Sequence, residues 1–120
     1  MDYTVHASST DVFGRVLLDA RDQHVVVDGP VANGCPGEAI TPAELFLGGV
    51  ASCAVELVQV LARQQGVALA GVTAEMGGTI DRQHEVRDDV TVFSSVALSF
   101  VLRGIGDEDA AALVEAFKGR

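Results

Sequence analysis

The sequence predicts an α+β fold in which β-sheet wraps around one long apolar helix. Short strand-like segments precede this helix, two longer segments with alternating apolar residues follow it, and an amphipathic helix comes last. Alternation with a period of two is typical of strands with one buried face, whereas an apolar stretch between helix caps is typical of a core helix. The predicted order is three strands, helix, two strands, helix. With 120 residues, the chain is expected to form a single domain, 1–120.

The first 28 residues contain three predicted strands. They are Tyr3–Ala7, Val12–Leu18 and His24–Asp28, each short, largely apolar and followed by a polar or turn-forming segment. Residues 29–40 hold two prolines and three glycines, which favour turns. We expect this segment to be a loop that leads into the long helix.

Capping residues define the long helix. Thr41 is a suitable N-cap, Pro42 suits the first helical position, and Glu44 completes a Ser/Thr-x-x-Glu capping box. Gly66 has the residue type that commonly ends a helix. The predicted helix therefore covers Thr41–Gln65.

The first half of this helix is apolar on all sides, because Leu45–Val55 contains no charged residue. A helix without a polar face has to be buried all round. A membrane span needs about 20 apolar residues, and Glu56 interrupts the apolar run before that length. We therefore expect the helix at the centre of a soluble core. Contact between subunits would absorb the high hydrophobic content, 48% of the chain.

Two strands and a second helix are predicted after the long helix. Ala68–Ile80 and Val90–Leu102 both place apolar residues at alternate positions, and the polar segment Asp81–Asp89 is the expected hairpin loop between them. The pair Gly77–Gly78 inside the first strand suggests a bulge. The second helix is predicted over Asp107–Lys118, because its first turn is acidic and its apolar residues recur with helical spacing.

The charge balance excludes some partners. The chain has 8 Lys and Arg against 17 Asp and Glu, a net charge of −9, and it has no basic patch. Nucleic acid and anionic membrane surfaces are therefore not expected partners. The first ten residues lack the basic segment and apolar run of a secretory signal, which favours a cytoplasmic location.

The cysteines and histidines point to free thiols rather than to a metal site. Cys35 and Cys53 are the two cysteines, and in a reducing cytoplasm they are expected to be unpaired. His6, His24 and His84 are scattered, without the spacings typical of metal ligands. We expect neither a metal nor another cofactor.

Cys53 is the residue with the most chemical interest. It lies inside the long helix, and its neighbours are small: Gly48, Gly49, Ala51, Ser52 and Ala54. A buried, inert cysteine is the commoner role for this residue type. The alternative is a reactive thiolate, which needs a positive partner from elsewhere. Arg15 and Arg21 are the candidates, and the residues alone leave both interpretations open.

Cys35 lies in a Gly-Cys-Pro-Gly segment, which predicts an exposed loop. It could resolve an oxidised Cys53, but a loop cysteine is more often without a role in the chemistry. We favour that second interpretation.

The segment 42–53, PAELFLGGVASC, resembles the cysteine-bearing helix of the OsmC/Ohr superfamily, and the preceding segment 24–30, HVVVDGP, supports the resemblance. The order of elements also matches that family. The resemblance implies an OsmC-like α+β fold, an intertwined homodimer with long helices at its centre, and activity as a thiol peroxidase. Such enzymes reduce organic hydroperoxides with electrons from a thiol reductant. Cys53 falls at the position of the peroxidatic cysteine.

The resemblance also implies roles for charged residues. The arginine that stabilises the thiolate comes from the N-terminal strands, where Arg15 is the closest match and Arg21 the second. The Ohr-type enzymes orient it with a glutamate ten residues before the cysteine, and this chain has Ala43 there. Glu56, one turn beyond Cys53, is a hypothetical substitute for that glutamate.

Other site features implied by the resemblance are an apolar pocket and a second cysteine. The expected wall of the hydroperoxide pocket is Leu45, Phe46, Val50 and Leu57. The family's second cysteine follows the second helix, and the sequence reaches Arg120 without it, so that segment of the family pattern is expected to be absent.

Two alternative functions stay open. The chain could be a dimeric stress or small-molecule-binding protein that kept the fold and lost turnover, since the family's glutamate and second cysteine are missing. A hotdog-fold thioesterase is the less favoured alternative, because such enzymes need a carboxylate near the helix and only Glu44 and Glu56 are available.

Overall fold

A computed structural model describes all 120 residues of the chain. The elements are β1 (His6–Ser9), β2 (Arg15–Ala20), β3 (Gln23–Asp28), α1 (Pro42–Gln64), β4 (Gly71–Thr79), β5 (Ser95–Arg103) and α2 (Asp107–Lys118). This order confirms the predicted α+β class. The strands form two separate sheets rather than one, in the order β1-β2-β3 and β4-β5. Two compact units, Met1–Phe46 and Leu47–Arg120, are described separately below.

The N-terminal unit contains an antiparallel three-stranded sheet. In the pairing of β2 with β3, Arg15 lies opposite Asp28, and Val16 lies opposite Val27. Successive side chains of a strand point to opposite faces. The ionic pair and the valine pair therefore lie on different faces of this sheet.

The first two strands begin three residues later than predicted. The segment before β2 forms a turn in which the backbone N–H of Arg15 donates to the carbonyl of Val12 at 3.1 Å. Gly14 within it has a φ of +80°, a left-handed conformation that cannot continue a strand. Val12 and Phe13, which were predicted to begin the second strand, are therefore exposed turn residues.

Both predicted ends of α1 are confirmed. At its start the hydroxyl of Thr41 donates to the Glu44 carboxylate at 2.6 Å, and the backbone N–H groups of Thr41 and Glu44 close the box at 3.2 and 3.4 Å. At its end Gly66 has a φ of +67°. The N–H of Gly66 donates to the carbonyl of Arg63, and that of Val67 to the carbonyl of Ala62. This is the pattern of a Schellman motif.

The expectation that α1 is buried on all sides is wrong for a single chain. Its buried residues, Ala54, Val58, Leu61 and Ala62, lie in its second half. Its most apolar 18-residue window is only 22% buried, because one chain supplies packing partners for one side of the helix. By length and composition alone α1 could cross a membrane, but the core helix of a soluble protein passes the same test.

The C-terminal unit contains the β4–β5 hairpin. Its register runs without interruption from Gly71 opposite Arg103 to Thr79 opposite Ser95. The bulge predicted at Gly77–Gly78 is therefore wrong. A Cβ on Gly78 would lie 2.7 Å from the ring of Phe93, so the missing side chain makes room for that ring. The hairpin loop, residues 80–94, is also longer than predicted.

The core of this unit lies at the C-terminal end of α1. Leu61, Ala62 and Leu113 form its buried centre. Partly buried side chains pack around them: Val67, Leu69, Leu102, Ile105, Ala116 and Phe117. The rings of Phe100 and Phe117 meet edge to face with centroids 5.3 Å apart. Helix α2 has the predicted bounds, because its apolar side meets this core.

Candidate functional site

Cys53 lies in the middle of α1 as an exposed free thiol. Exposure does not fit the interpretation of an inert, buried filler. The residues one turn earlier leave space beside the helix, because a Cβ on Gly48 or Gly49 would meet no atom within 4 Å. The hydroxyl of Ser52 bonds within the helix, because it donates to the carbonyl of Gly49 at 2.9 Å. Cys53 is therefore an exposed residue on a stretch of α1 that has open space beside its glycines.

Arg15 is held by the carboxylate of Asp28, a residue without a predicted role. Its Nε donates to Oδ1 of Asp28 at 2.8 Å, and its Nη2 donates to Oδ2 at 2.9 Å. Asp28 is completely buried and also accepts the backbone N–H groups of Glu38 and Ala39, at 3.1 and 2.9 Å. These bonds, with that of Arg15 first, hold the pKa of Asp28 well below its usual range and raise the pKa of Arg15.

A second carboxylate touches the same arginine. Nη2 of Arg15 also donates to Oε2 of Glu38 at 3.2 Å, but the Glu38 side chain is 79% exposed. The remaining terminal nitrogen of Arg15, Nη1, has no hydrogen-bond partner in the chain. Nε and Nη2 of the guanidinium are therefore bound to carboxylates, whereas the N–H groups of Nη1 donate to no atom of the chain.

The other two charged candidates are not held in this way. Arg21 lies in the tight turn between β2 and β3, is exposed, and has a φ of +56°. Glu56 is exposed on α1 and has neither an ion pair nor a hydrogen bond. The carboxylates that hold the arginine within the chain are thus Asp28 and Glu38. An apolar strand that ends in a lone aspartate, VVVD, was the only local signal for Asp28.

Cys35 does not lie on an exposed loop as predicted. Its side chain is half-buried and packs against two glycines, Gly14 and Gly29. A Cβ on Gly29 would lie 2.5 Å from the Cys35 sulfur, and a Cβ on Gly14 would overlap it. The thiol fills a slot that exists because both residues lack side chains.

An apolar cavity of about 360 Å³ lies in the N-terminal unit. Its lining residues are Ala7, Val16, Leu18, Val27, Pro42, Leu45 and Phe46. Leu45 and Phe46 were predicted as pocket residues, whereas Val50 is exposed and Leu57 half-buried further along α1. Because the cavity lies on the Val16 face of the sheet, Arg15 points to the opposite face.

The histidines do not assemble with other ligands. Nδ1 of His6 lies 3.6 Å from Asp19, and Nδ1 of His84 lies 3.1 Å from Asp81. No group of three or more His, Cys, Asp or Glu side chains is arranged to hold a metal ion.

Solved structures of similar fold come from several bacteria. An OsmC-like protein of Mycoplasma pneumoniae matches with a TM-score of 0.84 at 11% identity, over 100% of this chain and 82% of that one. An organic hydroperoxide resistance protein OsmC of Legionella pneumophila matches with a TM-score of 0.76 at 21% identity, over 98% and 82%. An organic hydroperoxide resistance protein of Elizabethkingia anophelis matches with a TM-score of 0.74 at 18% identity, also over 98% and 82%. Comparison with curated protein sequences finds no match.

A family model matches most of this chain. The family model described as OsmC-like protein matches residues 35–120, which include the whole of α1 and Cys53. The fold of the solved relatives agrees with that match. The protein therefore belongs to the OsmC-like family, as the resemblance of its cysteine-bearing helix predicted.

Proposed function

We propose that this protein is a thiol-dependent peroxidase that reduces organic hydroperoxides, with Cys53 as the nucleophile. The observation that carries the proposal is the free thiol of Cys53 on the cysteine-bearing helix of an OsmC-like chain. Two of the solved relatives named above are organic hydroperoxide resistance proteins. Cys35 supports the assignment by contrast, because its sulfur is packed in a slot between glycines.

The proposed reaction has two stages. The thiolate of Cys53 attacks the distal oxygen of the hydroperoxide, the O–O bond breaks, and the alkoxide leaves and takes up a proton to become an alcohol. The sulfur loses two electrons and becomes a sulfenic acid. A thiol reductant then condenses with it, releasing water and forming a mixed disulfide. A second thiol of the reductant resolves that disulfide and restores the Cys53 thiol.

Arg15 is the proposed positive partner for this chemistry. A guanidinium can stabilise both a thiolate and the negative charge that develops on the leaving oxygen. Its unoccupied Nη1 edge supports this role, and Arg21 is the second choice because nothing holds its side chain. The pocket wall for the alkyl group, Leu45, Phe46, Val50 and Leu57, stays a prediction, because the cavity beside Leu45 and Phe46 lies on the face of the sheet opposite to Arg15.

A homodimer is part of the proposal. In a single chain Phe46 is 60% exposed, and Val50 and Val60 on the same helix are also exposed. An apolar helix in this state needs a partner, and a second copy would bury well over the ~2,000 Å² at which obligate interfaces begin. Sedimentation at micromolar concentration should give twice the chain mass, and a monomer would contradict this part. The unpaired thiols favour a cytoplasmic location.

The test is consumption of cumene hydroperoxide with dithiothreitol as the reductant. The wild-type chain should turn over, Cys53→Ser should be inactive, and Cys35→Ser should keep the wild-type rate of the first turnover. Folding of each variant is checked by circular dichroism. Loss of activity in Cys35→Ser with retention in Cys53→Ser would overturn the assignment. A wild-type chain without any turnover would favour the alternative of a catalytically silent, small-molecule-binding member.

A further inference from the structure

A groove of about 440 Å³ in the C-terminal unit is lined by the end of α1 and by the segment 67–71 that follows it. Its size is typical of a site for a small molecule. Two of its lining side chains, those of Gln59 and Arg63, are polar. The other lining residues are apolar or have no side chain: Ala62, Val67, Ala68, Leu69, Ala70 and Gly71. Although acidic residues outnumber basic ones 17 to 8 in this chain, none of them lines the groove.

Arg63 is a cation without a partner in the chain. Its side chain forms neither an ion pair nor a hydrogen bond, and the position one turn before it carries the neutral Gln59 rather than a carboxylate. A guanidinium binds a carboxylate through two parallel bonds, which are among the stronger hydrogen bonds in proteins. All the donors of Arg63 are therefore available to such a ligand. The amide of Gln59 lies on the same side of the helix and offers further N–H donors.

The backbone around the groove is compatible with an anionic ligand. Free carbonyls at the end of a helix would repel an anion, but those of Ala62 and Arg63 already accept the N–H groups of Val67 and Gly66. The N–H of Ala68, another lining residue, donates to no atom of the chain. The segment after α1 therefore adds a donor to the groove.

A second guanidinium lies beside the groove, in contact with Gly71. A Cβ on Gly71 would overlap Nη2 of Arg103, so the missing side chain makes room for the guanidinium. Nη1 of Arg103 donates to the hydroxyl of Thr73 at 3.0 Å, and Arg103 forms no ion pair. No carboxylate of the chain therefore neutralises either of the two arginines.

We propose that this groove binds a small monocarboxylic acid, with its carboxylate on Arg63 and Gln59 and its apolar body against Ala62 and residues 67–70. The net charge of −9 repels anions in general, which favours a ligand with one negative charge over a phosphate with two. The proposed site contains neither thiol. It is therefore independent of the proposed peroxidase function.

The groove would also stay open in the proposed homodimer. At about 100° per residue, Gln59 and Arg63 lie about 60–100° around α1 from Val60. Phe46 and Val50, the other exposed apolar residues of this helix, lie still further round. A second copy that covers the apolar side of α1 therefore leaves the polar side free.

The test uses benzoate, which combines a carboxylate with an apolar ring, and follows the backbone amide of Ala68 by nuclear magnetic resonance. Benzyl alcohol keeps the ring without the charge, and acetate keeps the charge without the ring. A ligand of this size with one ionic contact should bind with millimolar affinity. We expect the Ala68 signal to move and saturate with benzoate, and both analogues to bind at least about fivefold more weakly.

Two substitutions on the exposed side of α1 remove the free cation. Arg63→Gln deletes the charge, and Gln59→Glu places a carboxylate one turn before Arg63, where the two form an ion pair within the helix. Each should weaken benzoate binding at least about fivefold, because the carboxylate loses its charged donor. Arg82→Gln is the matched control, since Arg82 is also exposed and without an ion pair but lies in the hairpin loop. It should change the affinity by less than about twofold, because a distant exposed charge is screened by salt.

Three results would overturn the proposal. One is an Ala68 amide signal that does not move and saturate with benzoate in the wild-type protein. Another is an Arg63→Gln variant, shown by circular dichroism to be folded, with the wild-type affinity. The third is equal weakening in Arg82→Gln, which would show that overall charge and not this groove determines binding.

Discussion

The two compact units of the chain bury different chemistry. In the N-terminal unit the completely buried side chain is a carboxylate, Asp28, whereas the C-terminal unit completely buries Val58 and Leu113. Burial of apolar side chains is non-directional and contributes mainly free energy. Burial of a charge requires donors in fixed places and therefore contributes geometry. Substitutions in the C-terminal unit should therefore change the free energy of unfolding most, and substitutions in the N-terminal unit should change its pH dependence.

The largest loss of stability is expected at the apolar centre. Leu113→Ala should lower the free energy of unfolding by about 2–5 kcal/mol, the range for large-to-small changes in a packed core. Val86→Ala, in the exposed hairpin loop, is the control and should cost less than about 0.5 kcal/mol. Urea denaturation at neutral pH measures both. Equal losses in the two variants would show that Leu113 is not at a packed core.

The next expected effect is a difference between the units in how acid lowers the free energy of unfolding. The pKa of Asp28 is lowered in the folded state, so its stabilising effect is complete above the ordinary aspartate pKa of about 3.9. It is lost as the pH falls towards the folded-state pKa, because unfolding then takes up about one extra proton. Urea denaturation from pH 7 to pH 3 should show a smaller acid loss in Asp28→Asn than in the wild type. The free energy of unfolding of Leu113→Ala should fall with pH as steeply as that of the wild type. The same pH dependence in all three proteins would show that the buried carboxylate of Asp28 does not determine the response to acid.

A smaller loss of stability is expected at Gly78 in β4, where the ring of Phe93 lies against the backbone. Gly78→Ala would place a methyl group against the ring of Phe93 and should cost about 1–3 kcal/mol, as overpacking does. Gly77, its neighbour in β4, has open space where a Cβ would lie, with no atom within 4 Å. Gly77→Ala is therefore the matched control and should be neutral or slightly stabilising. Thermal unfolding would compare them, and indistinguishable midpoints would mean that the Phe93 ring yields freely.

The smallest of these effects concerns the start of α1. Thr41→Ala removes the hydroxyl of the capping box and should cost about 1 kcal/mol. Alkylation of Cys53 should stay at the wild-type rate, because this residue caps the helix and has no part in the proposed reaction. Unchanged stability with slower alkylation would instead place the helix start in the chemistry.

Local signals predicted much of the fold. The bounds of α2, the capping box at Thr41 and the Schellman motif at Gly66 depend on residues within one or two turns, and all three agree with the structure. The hydrogen bonds of Asp28 come from Arg15 on the neighbouring strand and from the backbone of Glu38 and Ala39 in the 29–40 loop. Alternation along one strand cannot reveal such contacts. The late start of β2 follows from Gly14, whose conformation is set by its turn.

In the candidate site, too, local sequence patterns identified some residues, and long-range contacts determine the others. Cys53 could be found from the sequence because the family motif surrounds it locally. The packing of Cys35 depends on Gly14 and Gly29, which are distant in sequence and adjacent in the fold. The identity of the carboxylate that holds Arg15 also required the pairing of β2 with β3.

The most direct measurement of the central claim is the site of oxidation in a single turnover. The reduced protein would be treated with one equivalent of cumene hydroperoxide, trapped with dimedone and mapped by peptide mass spectrometry. Cys53 should carry the label, and Cys35, whose sulfur packs against Gly14 and Gly29, should stay unlabelled. Excess peroxide should drive Cys53 on to sulfinic acid. Equal labelling of both thiols, or none at Cys53, would contradict its assignment as the peroxidatic cysteine.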